Sequence, residues 1–219
     1  MSEPITVRRE LRTPRAAAVA GLAFSLILGT VIVLLHSAAA SVGSDPTGWI
    51  SSASRRHSVG LALTLVPFAG IAFLWFIGVI RSRLGEREDR FFATVLLGSG
   101  LLFVAMLFSA SAVLGSILVV YDEPNGASDD TIRLAGALTS TLLATFGARM
   151  AAVFTLVVTT VGHRMGLTPR WLTVVGYVSA VALLLMPPGT RWVQLVFPAW
   201  VLLLSLDILV RSLRPSVAT

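Results

Sequence analysis

Two charged side chains stand inside apolar sequence, where charge is costly, and they are the first candidates for chemistry. Arg149 lies in the segment Gly147-Ala148-Arg149-Met150-Ala151-Ala152. In a helix this places it about 18 Å from the end of its apolar run, near the bilayer centre. An arginine at that depth costs about 2.5–3.5 kcal/mol on insertion scales. A guanidinium does not shed its proton in proteins, so the fold has to solvate the charge. Arg149 is therefore expected to face the bundle interior or a wet cavity. It would serve either as a structural crosslink to carbonyls and hydroxyls of neighbouring helices, or as an anion site for a carboxylate, a phosphate or a lipid headgroup. Asp207 is the acid that sits within an apolar run, and Arg211 follows one turn later. That i, i+4 spacing favours a local ion pair. The estimated depths of Asp207 and Arg149 differ by about 12 Å, so contact between these two is not expected.

Other chemistry is thin. His36 and His57 fall on one side of the predicted membrane and His163 on the other. A four-histidine, two-haem bundle is excluded by count, and a single haem or metal site at His36 and His57 is a weaker reading than ordinary interfacial histidines. The chain has no cysteine, which removes thiolate ligands and cysteine nucleophiles. It has no Ser/His/Asp set, zinc-protease motif, P-loop or dinucleotide fingerprint. Hydroxyls at Thr139, Ser140, Thr141, Thr145, Thr155, Thr159 and Thr160, with Ser99, Ser109 and Ser111, could line a polar path around Arg149. Bonding to their own helix at i−4 is the expected alternative.

The elements that position these residues follow from hydropathy. The 219 residues are 55% hydrophobic and only 13% charged, against about 25% charged in an average soluble domain. A soluble fold of this size could not hide so much apolar surface. Six apolar runs stand out, at about 16–38, 59–80, 91–120, 134–162, 171–186 and 192–210, near the roughly 20 residues that a helical crossing needs. The fold class is thus all-α: a polytopic transmembrane helical bundle of six spans. A basic N-terminal arm (1–15) precedes a transmembrane domain (16–211), and a short tail (212–219) follows.

Orientation comes from arginine. All 17 basic residues are arginines, a bias that fits a GC-rich bacterial genome and a bacterial plasma membrane. They cluster at the ends of apolar runs, which serves topology rather than nucleic-acid binding. With the N-terminus inside, Arg8, Arg9, Arg12, Arg15, Arg81, Arg83, Arg87, Arg90, Arg164, Arg170, Arg211 and Arg214 are cytoplasmic, while Arg55, Arg56, Arg133 and Arg191 are external. The positive-inside rule therefore gives N-in/C-in. The loop 121–132, with Asp122, Glu123, Asp129 and Asp130, is external. Trp49, Trp171 and Trp192 lie near span ends, where indoles favour the headgroup layer. Ala38-Ala39-Ala40 resembles a signal-peptidase site, yet the first apolar stretch is longer than a signal core, so a retained helix is expected.

Small residues mark where helices can approach. Ala17, Gly21, Ser25 and Gly29 recur at i+4 along the first span, a smooth stripe suited to close packing. Ser111/Gly115 and Ala112/Ser116 in the third span and Gly147/Ala151 in the fourth repeat the theme. No repeat of fixed period is visible, and no inverted repeat of the transporter kind.

From Gly147 the sequence reads GARMAAVF, then a basic turn Leu167-Thr168-Pro169-Arg170-Trp171-Leu172, then Gly176-Tyr177. This stretch resembles small multi-span integral membrane proteins of actinobacteria that are grouped as domains of unknown function. The resemblance implies about six spans and carries no functional residue with it. The expected function is that of a non-enzymatic accessory or assembly subunit acting through helix packing. The first alternative is a small transporter or channel for an anionic solute or lipid centred on Arg149, and the second a haem protein or intramembrane enzyme. No cofactor and no nucleic acid is expected. The expected partners are the lipid bilayer and other membrane subunits or further copies of the chain.

Overall fold

In lipid every backbone amide has to bond within its own segment, which leaves the helix as the economical form for long apolar runs. The computed structural model describes residues 13–40, 48–84, 90–121, 126–185, 187 and 192–213, and among them there is helix but no strand. The helices are α1 (Thr13–Ala40), α2 (Gly48–Ser51), α3 (Ala53–Leu84), α4 (Arg90–Tyr121), α5 (Asp129–Ser140), α6 (Ala148–Arg164), α7 (Arg170–Leu185) and α8 (Val196–Leu213). A π-helical turn, Thr141–Gly147, joins α5 to α6 without a break, and a 3-10 turn, Val193–Leu195, leads into α8. Five of these rods are long and apolar enough to cross a membrane; α5 through α6 counts as one of them. The shorter α7 has 16 residues, or about 24 Å of helix.

The segment 121–132, read from sequence as an external loop, is partly helix. Ser128 caps α5, its Oγ accepting from the Thr131 amide, and Asp129 and Asp130 occupy the first turn. Carboxylates there oppose the positive end of the helix dipole. Two acids that look like loop residues thus begin a helix before the apolar run does.

Close approaches at glycine fix the directions of the rods. Gly21 of α1 lies against Ser205 of α8 and Phe76 of α3, while His36 near the far end of α1 stacks on Trp192 just before α8, with ring centroids 5.2 Å apart. α1 and α8 are therefore antiparallel. On α3 and α4, Gly70 faces Phe108 and Gly100 faces Ile77, again antiparallel. Gly100 also faces Phe154 of α6, whereas Gly147 at the start of α6 faces Met106 of α4. Gly162 packs on Thr168 across the α6–α7 turn, and Gly176 of α7 packs on Thr159 and Trp200. The chain thus makes successive up-and-down passes, and α1 begins at the same end of the bundle where α8 finishes.

The middle of the bundle is filled by rings. Phe24 (α1), Phe73 and Phe76 (α3), Phe103 (α4), Phe154 (α6) and Phe197 (α8) are all buried. Phe73 sits centrally, with centroid distances of 4.5 Å to Phe24, 5.1 Å to Phe154, 5.4 Å to Phe103 and 5.6 Å to Phe197. Most of these pairs are tilted or edge-to-face, the arrangement that ring quadrupoles favour. A second, small core of Ile50, Ile117 and Ile132 closes the end that carries α2. There Arg56 donates from Nη1 to the Ile50 carbonyl at 2.5 Å and lies 5.1 Å over the Tyr121 ring.

Candidate functional site

The distinctive feature of the longest rod is the π-helical turn just before Arg149. Across it the Ala148 amide donates to the Leu143 carbonyl, one residue further back than in an α-helix. Such a slip widens the helix and leaves carbonyl oxygen short of amide donors. Arg149 bonds back onto this turn: its Nη1 donates to the Thr145 carbonyl at 2.8 Å and more weakly to Ala144 at 3.4 Å. This direction is natural, because long side chains on a helix lean toward its N-terminus. The guanidinium is thus solvated by its own helix, not by the hydroxyls or carbonyls of a neighbour.

Its direction also differs from expectation. Arg149 is partly exposed and does not border the cavities that Leu143, just upstream, lines. Leu156, seven residues on and hence on the same helical face, is 44% exposed, and His163, seven further, is exposed as well. The expectation was the bundle interior or a wet cavity; in the structure the side chain is half-buried and turned back along its own helix. Its face of the rod looks outward, and it includes exposed Leu134, Leu138 and Phe146 nearer the α5 end. The residues of this stretch that pack inward are Ala148, Ala151, Ala152 and Thr155.

Asp207 and Arg211 do meet, with Arg211 Nε 2.9 Å from Asp207 Oδ2. The approach is close but not aligned as a hydrogen bond. Arg211 is half exposed and Asp207 mostly covered, so the pair lies at the edge of the bundle, where its contribution to stability is on the order of 0.5 kcal/mol. Arg149 is not part of it.

The small-residue stripe on α1 divides in two. Ala17, Gly21 and Ser25 are buried. Gly21 is the tightest position, since a Cβ there would overlap Ser205 Oγ and lie 2.9 Å from Phe76. Gly29 is different, because nothing stands within 4 Å of where its Cβ would be. Each i+4 step drifts about 40° round the helix, so Gly29 has turned off the packed face while Val31 and Ile32 continue it.

Many hydroxyls bond back to their own helix, as with Ser25 to Gly21, Thr64 to Gly60, Ser99 to Val95, Ser111 to Leu107 and Thr160 to Leu156. They satisfy themselves locally and form no polar path. Thr155, Thr159 and Ser205 are buried with hydroxyls that find no partner. His36 donates from Nδ1 to the Ile32 carbonyl at 2.8 Å when that nitrogen holds the proton, while His57 is exposed. Among the described residues no three potential ligands gather into a metal site.

Two positions escaped the sequence reading. Gln194 is the chain's single glutamine, and it borders two adjoining cavities near the α2 end. A lone amide at the start of an apolar run was the signal. The π turn left no sequence signal, because Thr141-Leu142-Leu143-Ala144-Thr145-Phe146-Gly147 reads equally well as α-helix. Compared with protein-family models, curated proteins and solved structures, the chain matches none.

Proposed function

We propose that the chain is a non-enzymatic subunit of a bacterial plasma membrane, with six spans and both termini cytoplasmic, that assembles with a different membrane protein through the outward face of α5 and α6. The observation that supports this reading is Arg149, half-buried on an apolar rod and bonded through one nitrogen, while its other donors have no partner among the described residues. Left against acyl chains, such a group costs several kcal/mol. A carboxylate on a neighbouring span would form two further charge-assisted bonds. The exposed Leu134, Leu138, Phe146 and Leu156 along the same rod supply the apolar contact around it. A second copy docking through the same face would bring a like charge, which disfavours self-association there. An anion path centred on Arg149 would need the guanidinium to face a cavity, whereas its Nη1 is turned back to the Thr145 and Ala144 carbonyls.

The test is purification from native membranes with wild type and Arg149→Met side by side. The wild type is expected to hold a stoichiometric membrane partner, and the variant to lose it while keeping its folded yield, since methionine is at home on a lipid-facing surface. Arg149→Lys should also release the partner, because a point charge does not reproduce the planar fork. A partner that stays bound to Arg149→Met overturns the docking face. Stabilisation of a partner-free wild type by carboxylates or phosphates, absent in Arg149→Met, would favour anion binding instead.

The six-span topology has its own check. α1 and α8 are antiparallel, with their outer ends on one side of the bundle, which supports an even number of crossings. Reporter fusions after Gly85 and Leu167 are expected to score cytoplasmic, and fusions after Asp45 and Gly126 external. A cytoplasmic score at Gly126 would remove the crossing made by α4.

A further inference from the structure

Between the ring layer and the α2 end, the bundle contains two cavities that meet. The outer one, about 270 Å³, is bordered by His36, Trp49, Thr139 and Ser140. The inner one is a narrow recess of about 60 Å³ whose walls include Leu28, Val31, Leu107 and Phe197. Leu35, Leu143 and Gln194 line both, and so form the neck between them. The recess runs down to Phe103 of the ring layer, which closes it below.

The chemistry changes along this path. At the neck, the Gln194 amide makes no hydrogen bond to any described residue. Thr139 Oγ1, on the outer cavity, is shielded from solvent and also has no partner. Leaving that hydroxyl buried and unbonded costs about 1–3 kcal/mol, whereas Gln194 is only partly buried and offers its amide to both cavities. His36 adds an acceptor: with Nδ1 engaged to the Ile32 carbonyl, Nε2 carries the lone pair of the neutral ring. No acid and no arginine lines either cavity. Below the neck the lining is aliphatic and aromatic, with Ser111 already bonded to Leu107.

We propose that these cavities bind one hydrocarbon chain of a lipid with an uncharged, hydroxyl- or ester-bearing head. The chain enters the recess between α1, α4 and α8, and the head bonds to Gln194 and Thr139 at the mouth. A charged phosphate head finds no cation there and loses its hydration without return. The proposal is independent of the assembly reading, because Arg149 and the outward face of α6 border neither cavity.

The experiment uses the full chain in detergent and 1-palmitoylglycerol carrying a diazirine near the end of its chain. After photolysis, mass spectrometry maps the adducts. Adducts are expected on Leu28, Val31 or Leu107, suppressed by excess unlabelled 1-palmitoylglycerol. Leu35→Trp, which narrows the neck from a partly buried position, should cut recess labelling several-fold while labelling of outward Phe68 and Val119 is unchanged. Gln194→Leu should weaken competition by the monoglyceride about 2- to 10-fold, the value of one net hydrogen bond. Adducts confined to outward residues overturn the site, even if Leu35→Trp fails to fold. Equal competition by 1-palmitoyl lysophosphatidic acid overturns the uncharged head.

Discussion

Gly21→Leu is expected to remove most of the folded protein, while Gly29→Leu, two turns further along the same stripe, leaves yield and melting temperature near wild type. At Gly21 even the first added carbon collides with Ser205 Oγ and presses on Phe76, and leucine adds three more carbons beyond it. Ser205 is fully buried on α8 and Phe76 fully buried on α3, so relief requires three helices to separate. Inserting carbon into a packed core costs about 1–3 kcal/mol when neighbours can adjust, and leucine in this gap should exceed that range. Gly29 meets open space, so leucine there should change stability by less than about 0.5 kcal/mol. Monodispersity on size exclusion and thermal melting in detergent measure both. Gly21→Ala combined with Ser205→Gly should recover part of the loss of Gly21→Ala alone, because the hydroxyl it strikes is gone. Equal damage from Gly21→Leu and Gly29→Leu would show that the stripe acts through something other than this approach of three helices.

Phe73→Ala carries the second large effect. The ring is fully buried and lies against Phe24, Phe103, Phe154 and Phe197, which come from four other helices. In water-soluble proteins Phe→Ala in a core costs about 3–5 kcal/mol, part of it the lost transfer from water. In a bilayer that part is absent, because lipid tails are as apolar as the core, and association rests on van der Waals packing. What remains is the void and the dispersion attraction forfeited around it, about 2–3 kcal/mol by the same cavity scaling. Phe68→Ala, on the same helix but facing outward, should cost under about 0.5 kcal/mol. A denaturant titration in mixed micelles compares the two, and similar losses would mean that the ring layer does not hold the bundle together.

The sequence alone determined the apolar helices and the clustering of charge at their ends, because lipid enforces both: a backbone without water has to coil on itself, and arginine clusters stop at the headgroups. It also determined the Asp207–Arg211 pair, which depends only on helical spacing. Ala17, Gly21 and Ser25 were legible as a packing surface for the same reason. That Gly29 drops out of it was not, because how far round the helix the packed face extends depends on where α3 and α8 lie against α1. The start of α5 was misread because Ser128, Asp129 and Asp130 look like loop residues until one bonds the Thr131 amide and the others meet the helix dipole. The direction of Arg149 was decided by tertiary structure. Depth in an apolar run follows from counting residues, but which side a helix turns inward depends on what the other helices offer. Here they offer Phe73, Phe103 and Phe197, scattered through three runs, two of which carry phenylalanine elsewhere as well. Their convergence marks the inward side of the bundle, and Arg149 lies half-buried to one side of it, bonded to the Thr145 and Ala144 carbonyls of its own helix.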